Sequence, residues 1–169
     1  MKTVPIVDIY YRVADPDWAD PLDPSFAAAG AGRRWNPPGL SCLYLNRDEA
    51  TARANVMRLY AGLPYGPEDL DPATAPLLVN VSLPGGAAAD AFTDDGLLEL
   101  GLPTTYPSEA DGGLIPRAAC QPVGQKVFDA GLDGVDCRSA VVGGNRELAW
   151  FPHDSMANET TRRAFDDWW

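Results

Sequence analysis

The sequence predicts an α+β fold in a single domain, and three observations carry that reading. Sixteen prolines and sixteen glycines are spread through the 169 residues and divide the chain into short elements, which disfavours a helical bundle. Hydrophobic residues make up 46%, enough for one sizeable core and too many for a chain disordered throughout. No repeat or composition shift marks a boundary, so residues 1–169 are read as one unit.

The elements follow in order. Val4–Val13 reads as a first strand with Ile9, Tyr11 and Val13 on one face. Ala14–Ala31, rich in Asp, Pro and Ala, reads as a long surface loop with one helical turn. Leu40–Leu45 has the apolar run of a buried strand. The next segment has helix boundaries: Asn46 as cap, Glu49 completing a capping box, and Gly62 with Pro64 at the end. Its expected apolar stripe is Ala50, Ala54, Met57 and Ala61. Leu77–Leu83 is a strong strand pattern, and a short helix is expected near Asp95–Leu100. Thr104–Leu114 reads as a polar loop and Ile115–Ala130 as a helix weakened by Pro116 and Pro122. Val135–Val142 and Leu148–Phe151 read as a strand pair around the Gly143-Gly144 turn. Asn158–Trp169 is expected to be an amphipathic C-terminal helix capped by Asn158 or Thr160.

The formal net charge is −11. Broad phosphate binding by the whole surface is therefore disfavoured, and direct nucleic-acid binding is not expected. A local arginine cluster can still hold one anionic ligand. The three cysteines, Cys42, Cys120 and Cys137, form no CxxC pair and sit among apolar residues. They read as buried thiols in a reducing cytoplasm. With His153 as the single histidine, a zinc site has no support, and no metal is expected. No signal peptide or membrane span is visible. Phosphate-loop, dinucleotide-fingerprint and nucleophile-elbow motifs are also lacking.

One segment carries chemistry on its own. Arg33-Arg34-Trp35-Asn36 runs into Pro37-Pro38-Gly39. Guanidinium groups bind diphosphates through forked, charge-assisted hydrogen bonds. Tryptophan offers a flat face to a base, and the Pro-Pro-Gly turn would present both. The plainer reading is a surface loop whose tryptophan plugs the edge of the core.

The pattern Tyr11-Arg12, a long loop, Gly32–Gly39 (GRRWNPPG), Leu43-Tyr44-Leu45 and a capped helix resembles the RES domain. The stretch Cys120–Phe151 is similar to the C-terminal half of that family, so the resemblance spans roughly Ile6–Phe151. It implies an ADP-ribosyltransferase-like fold with small split β-sheets, flanking helices and a cleft that binds NAD. It also implies an NAD glycohydrolase or phosphorylase, acting as the toxin of a toxin–antitoxin system with an Xre-type antitoxin partner. NAD would be substrate or ligand, with no separate cofactor, and a homodimer is compatible with such systems.

The resemblance also assigns roles. Arg12 and Arg34 would grip the NAD diphosphate, Trp35 and Tyr44 would frame the nicotinamide riboside, and Asn36 is a further ligand-binding candidate. The family serine falls on Ser139 in one register and on Ala118 in another. The family glutamate falls on Asn55, which can position a ribose hydroxyl but supplies no charge. Glu49 is explained by the capping box, and Asp48 lies roughly 10 Å down the helix axis from that register. Weakened turnover follows, and Asn55→Glu is expected to raise NAD cleavage. Two alternatives stay open: a RES-fold protein that binds a nucleotide or protein without turnover, and an ADP-ribosyltransferase.

Overall fold

The structure, a computed structural model, describes residues 1–169. Eight strands form one mixed sheet: β1 (Thr3–Pro5), β2 (Ile9–Ala14), β3 (Leu43–Asn46), β4 (Leu77–Ser82), β5 (Ala87–Ala91), β6 (Gly134–Arg138), β7 (Arg146–Trp150) and β8 (Asn158–Arg163). Their spatial order is β1-β5-β6-β7-β3-β2-β4-β8. Every neighbouring pair is antiparallel except β5 and β6, whose crossover carries two helices, α3 (Asp94–Glu99) and α4 (Arg117–Asp129). The remaining helices are α1 (Ser25–Ala28) and α2 (Glu49–Tyr60).

The sheet is nearly two sheets. β2 and β3 pair at a single position, Tyr11 with Asn46, whereas β2 and β4 pair at six. The split expected from the resemblance survives as this one-residue seam. Arg12 spans it, its Nη1 donating to the Tyr44 carbonyl at 3.0 Å.

Alternation along the central strands sorts the core onto both faces. Leu43, Leu45, Leu148 and Trp150 pack on one face with Tyr10, Val79 and Val81. On the other face, Trp35, Cys137 and Phe151 pack with Leu97 of α3 and with Cys120 and Val127 of α4. Farther along that face, Ala52 and Val56 of α2 pack on Leu78, Phe165 and Trp168. All three cysteines are buried and unpaired. Burial pushes the Cys42 and Cys137 thiols upward, so they are inert packing groups.

Several boundaries differ from the sequence reading. The first strand is broken at Ile6–Asp8, because β1 pairs with β5 while β2 pairs with β4. β5 lies in a segment with no strand expected, just ahead of the short helix that was expected and is found as α3. Asp48, not Asn46, caps α2 and accepts from the Thr51 amide at 2.7 Å. Asn46 is the last residue of β3, and its amide is spent on the Tyr11 carbonyl. Glu49, freed of a capping role, pairs with Arg163. The buried stripe of α2 is Thr51, Ala52, Ala54 and Val56, and Met57 is exposed.

The C-terminal helix expected over Asn158–Trp169 is absent. Those residues form β8 and a 3₁₀ turn, Phe165–Asp167. The physical reason is the free edge of β4, whose backbone groups β8 pairs along five positions. Trp168 then buries against α2 and donates from Nε1 to the Pro76 carbonyl at 3.2 Å.

Candidate functional site

A cavity of about 650 Å³ opens over the seam, within the range of small-molecule sites. Residues of β2 and β3 form its floor. Asn55, Arg58 and Leu59 of α2 form one wall, and the Arg33–Trp35 segment with Leu114 and Arg117 forms the other.

The arginine-bearing wall is built before any ligand is considered. The Arg33 amide donates to the Asn36 carbonyl, closing a tight turn at 3.0 Å. Gly32 enters that turn at φ +70°, where a Cβ would lie 2.2 Å from the Asn36 oxygen. Asn36 is 0% exposed, and its amide donates to the Ala27 and Leu40 carbonyls, both at 2.9 Å. Its Oδ1 accepts from the Tyr44 hydroxyl at 3.0 Å, and that hydroxyl accepts from the Trp35 amide at 2.7 Å. Gly124 of α4 lies so close that a Cβ there would overlap the Trp35 carbonyl.

This corrects two expected roles. The Trp35 ring is 1% exposed and its Nε1 donates to Cys137 Sγ at 3.2 Å, so it offers no stacking face. Asn36 has no free polar group directed at a ligand. Both residues hold the loop; the plainer core-plug reading describes Trp35. Tyr44 lines the cavity, but its hydroxyl is committed to the same loop, and burial pushes its pKa well up.

What the loop presents is charge. Arg12, Arg33, Arg34, Arg58 and Arg117 all line the cavity, and none forms an ion pair. The Arg12 guanidinium is largely buried, its Nε has no hydrogen-bond partner, and desolvation pulls its pKa down. Arg34 is aimed by a 2.7 Å bond from Nη1 to the Ile115 carbonyl. Asp20, Asp23 and the Trp18 ring offset the cost of burying Arg12 only in part, and an anion in the cavity would offset more of it.

Opposite the arginines lies a polar chain across the sheet. Asn46 Nδ2 donates to the Tyr11 carbonyl at 3.1 Å, which leaves Asn46 Oδ1 to accept from Asn55 Nδ2 at 2.8 Å. Asn55 Nδ2 also reaches Glu147 Oε1 at 2.9 Å, and the Ser139 hydroxyl donates to the same oxygen at 2.7 Å. Asn55 and Ser139 are thus brought together, although Ser139 is a buried residue just beyond the end of β6. Ala118 is exposed in the first turn of α4 and outside this group. Asp48, as the α2 cap, is outside it as well.

Motif reading missed Glu147, and with it Arg58 and Arg117, which stand on helices outside the motif. Glu147 is the one carboxylate among the cavity's lining residues. The signal was present in the hairpin: Gly143-Gly144 folds β7 back on β6, and Glu147 pairs with Cys137 on one side and Asn46 on the other. His153, by contrast, is far from this chemistry, stacked on Phe128 with its Nε2 3.0 Å from the Leu132 carbonyl.

Fold and site together define an α+β domain with an arginine-lined cleft, and the family follows from comparison. The RES domain model matches residues 9–169, so the chain belongs to the RES domain family. A solved structure described as the M. tuberculosis MbcT-MbcA toxin-antitoxin complex is similar, with a TM-score of 0.74 at 18% identity. That likeness covers 96% of this chain and 86% of the other, and it shows a shared fold. No curated protein matches the sequence. No helix is long and apolar enough to cross a membrane.

Proposed function

We propose that this RES-domain protein binds NAD in the seam cavity and cleaves its nicotinamide–ribose bond, as the toxin of a toxin–antitoxin pair. The observation that carries the reading is the concentration of unpaired arginines. Five of the chain's eleven arginines face one cavity without ion pairs, in a molecule of net charge −11. Five of the other six are ion-paired elsewhere, and Arg47 stacks over Tyr10. Such focusing selects a compact polyanion, and a diphosphate fits forked guanidinium groups.

Arg12 and Arg34 flank the cavity from β2 and from the loop, consistent with a grip on the diphosphate. The polar chain of Asn55, Ser139 and Glu147 suits the ribose and the positively charged nicotinamide end. Cleavage leaves the bonding electrons on the nicotinamide nitrogen and an oxocarbenium-like ribosyl group, which water or phosphate captures. The likeness to a toxin–antitoxin complex supports an antitoxin partner, of Xre type as the family resemblance suggests. Binding without turnover drew its support from the lack of a suitable carboxylate, and Glu147 weakens that reading.

The test is nicotinamide release from NAD by the purified protein, with and without phosphate. Release that Arg12→Ala abolishes supports the proposal, and dependence on phosphate separates phosphorolysis from hydrolysis. Labelling of protein instead of free ribosyl product would favour ADP-ribosyl transfer. Saturable binding with no release would favour the non-catalytic reading.

A further inference from the structure

We infer that Glu147 is the catalytic carboxylate of this site, supplied from β7, and that Asn55 on α2 is the residue that holds it. The inference rests on the NAD-cleaving reading above and names the group that would act at the ribose. Three independent features of the cavity lead to it.

The first is charge. Among the cavity's lining residues five are arginines and one is a carboxylate. A carboxylate left without an ion pair beside so many cations is positioned by something other than them. Its Oε1 accepts from the Ser139 hydroxyl at 2.7 Å and from Asn55 Nδ2 at 2.9 Å. No protein donor reaches Oε2, and the residue lines the cavity. One oxygen is therefore fixed, and the other is available to a ligand. Preorganisation of this kind is what stabilises charge developing in a transition state.

The second is the orientation of Asn55. Asn46 is pinned by the Tyr11 carbonyl, so it turns its own oxygen toward α2. Asn55 must answer with its amide nitrogen, and that same nitrogen meets Glu147. A glutamate at position 55 would set two carboxylates against each other at this distance and could not donate to either acceptor. Like charges so placed cannot both ionise, and one pKa rises sharply. The site accommodates one ionised carboxylate, and β7 supplies it. The expectation that Asn55→Glu alone raises turnover is therefore reversed.

The third is topology. Asn46 and Glu147 are direct cross-strand partners, and Tyr11 is the partner of Asn46. Glu147 thus stands on the cavity face next to the seam that Arg12 bridges. A diphosphate on the arginines would extend its ribosyl end toward this row.

In the step itself, the C1′–N bond breaks and its electron pair goes to the nicotinamide nitrogen, neutralising the pyridinium. The Glu147 carboxylate stabilises the positive ribosyl group. In the hydrolytic case, water forms the new C1′–O bond and its proton passes to Glu147.

The experiment compares wild type, Glu147→Gln, Asn55→Glu and the double variant Asn55→Glu/Glu147→Asn. The readouts are nicotinamide release, NAD affinity by equilibrium binding, and thermal melting. Loss of the carboxylate is expected to lower turnover by ~10²- to 10⁴-fold, with NAD affinity held within a few-fold. Asn55→Glu alone should also lower it. The double variant, which returns a single carboxylate to the site from the helix side, should recover at least about tenfold over Glu147→Gln. Glu147→Gln that stays folded and within threefold of wild-type turnover overturns the inference while leaving the NAD-cleaving reading intact. Wild type that binds NAD without releasing nicotinamide overturns both.

Discussion

Arg12→Met should separate the stability of this protein from its function. Arg12 sits on β2 with an unpartnered, buried Nε and a single hydrogen bond, from Nη1 to the Tyr44 carbonyl. Methionine replaces the stem with an unbranched apolar chain of similar reach and removes the desolvated charge. An unmade buried donor costs ~1–3 kcal/mol, and the bond given up to Tyr44 is a charge-assisted one of comparable size. The two nearly offset, so the variant is expected to melt within about 4 °C of wild type, on either side. Binding should respond differently. A guanidinium bonded to a diphosphate contributes ~1.5–3 kcal/mol, so NAD affinity should fall roughly 10- to 150-fold. Differential scanning calorimetry and equilibrium NAD binding on the same preparations measure the two effects. A melting point lowered by more than about 10 °C with unchanged affinity would refute the reasoning. It would mean that Arg12 fastens β2 to β3 across the seam and has no part in holding an anion.

Three further outcomes follow from the packing and the titrating groups. Gly124→Ala should destabilise by at least ~1–3 kcal/mol in denaturant melts, because its Cβ would overlap the Trp35 carbonyl and displace the arginine-bearing loop. Trp168→Ala should cost ~3–5 kcal/mol by the same measurement, since the ring is 2% exposed and closes the core under α2. Asp90 governs part of the acid sensitivity. Burial alone would raise its pKa, but the Thr93 hydroxyl and the Thr93 and Phe92 amides outweigh that and hold it below the usual range. Its contribution is therefore full above the ordinary carboxylate pKa and is lost as pH falls through its depressed value. Asp90→Asn should lower stability at pH 7 and flatten the fall below about pH 4, read from urea midpoints across pH.

The fold was legible where local pattern and tertiary need agreed. Leu77–Leu83 reads as a strand and is one, because β4 is packed on both faces and paired on both edges. α2 was legible in extent but not in rotation. Its caps are local chemistry, whereas its buried face is set by what lies beneath it, Leu78 and Trp168 from distant parts of the chain. The C-terminal segment failed for a related reason. Asn158 and Thr160 are acceptable helix caps by type, but the open edge of β4 offers a ladder that no local pattern reveals. The alanine-rich β5 is similar: Ala87–Ala91 has little strand propensity and is a strand because β1 and β6 pair with it.

The site was legible in three of its five arginines, and illegible in Arg58, Arg117 and its carboxylate; the difference is one of geometry. Arg33 and Arg34 are adjacent in a conspicuous motif, so their cluster survives any placement of the loop. Trp35 and Asn36 looked equally functional in the same motif, yet their polar atoms are spent on Cys137, Ala27, Leu40 and Tyr44. A motif names the residues a loop needs without saying which of them face outward. The carboxylate followed the opposite course. Position 55 on α2 is where the family resemblance places a glutamate, a register that counts linearly from Tyr44. Glu147 lies 92 residues farther on, in a plain strand, and meets Asn55 only when β7 inserts between β6 and β3. The cue was the hairpin: a Gly-Gly turn after Ser139 returns the chain so that position 147 approaches the serine. Reading the turn as a register, rather than as a connection, puts a carboxylate beside Ser139. Asn55 is then a neutral donor facing a charged acceptor, and an asparagine at that position is what a site with its carboxylate on the strand requires.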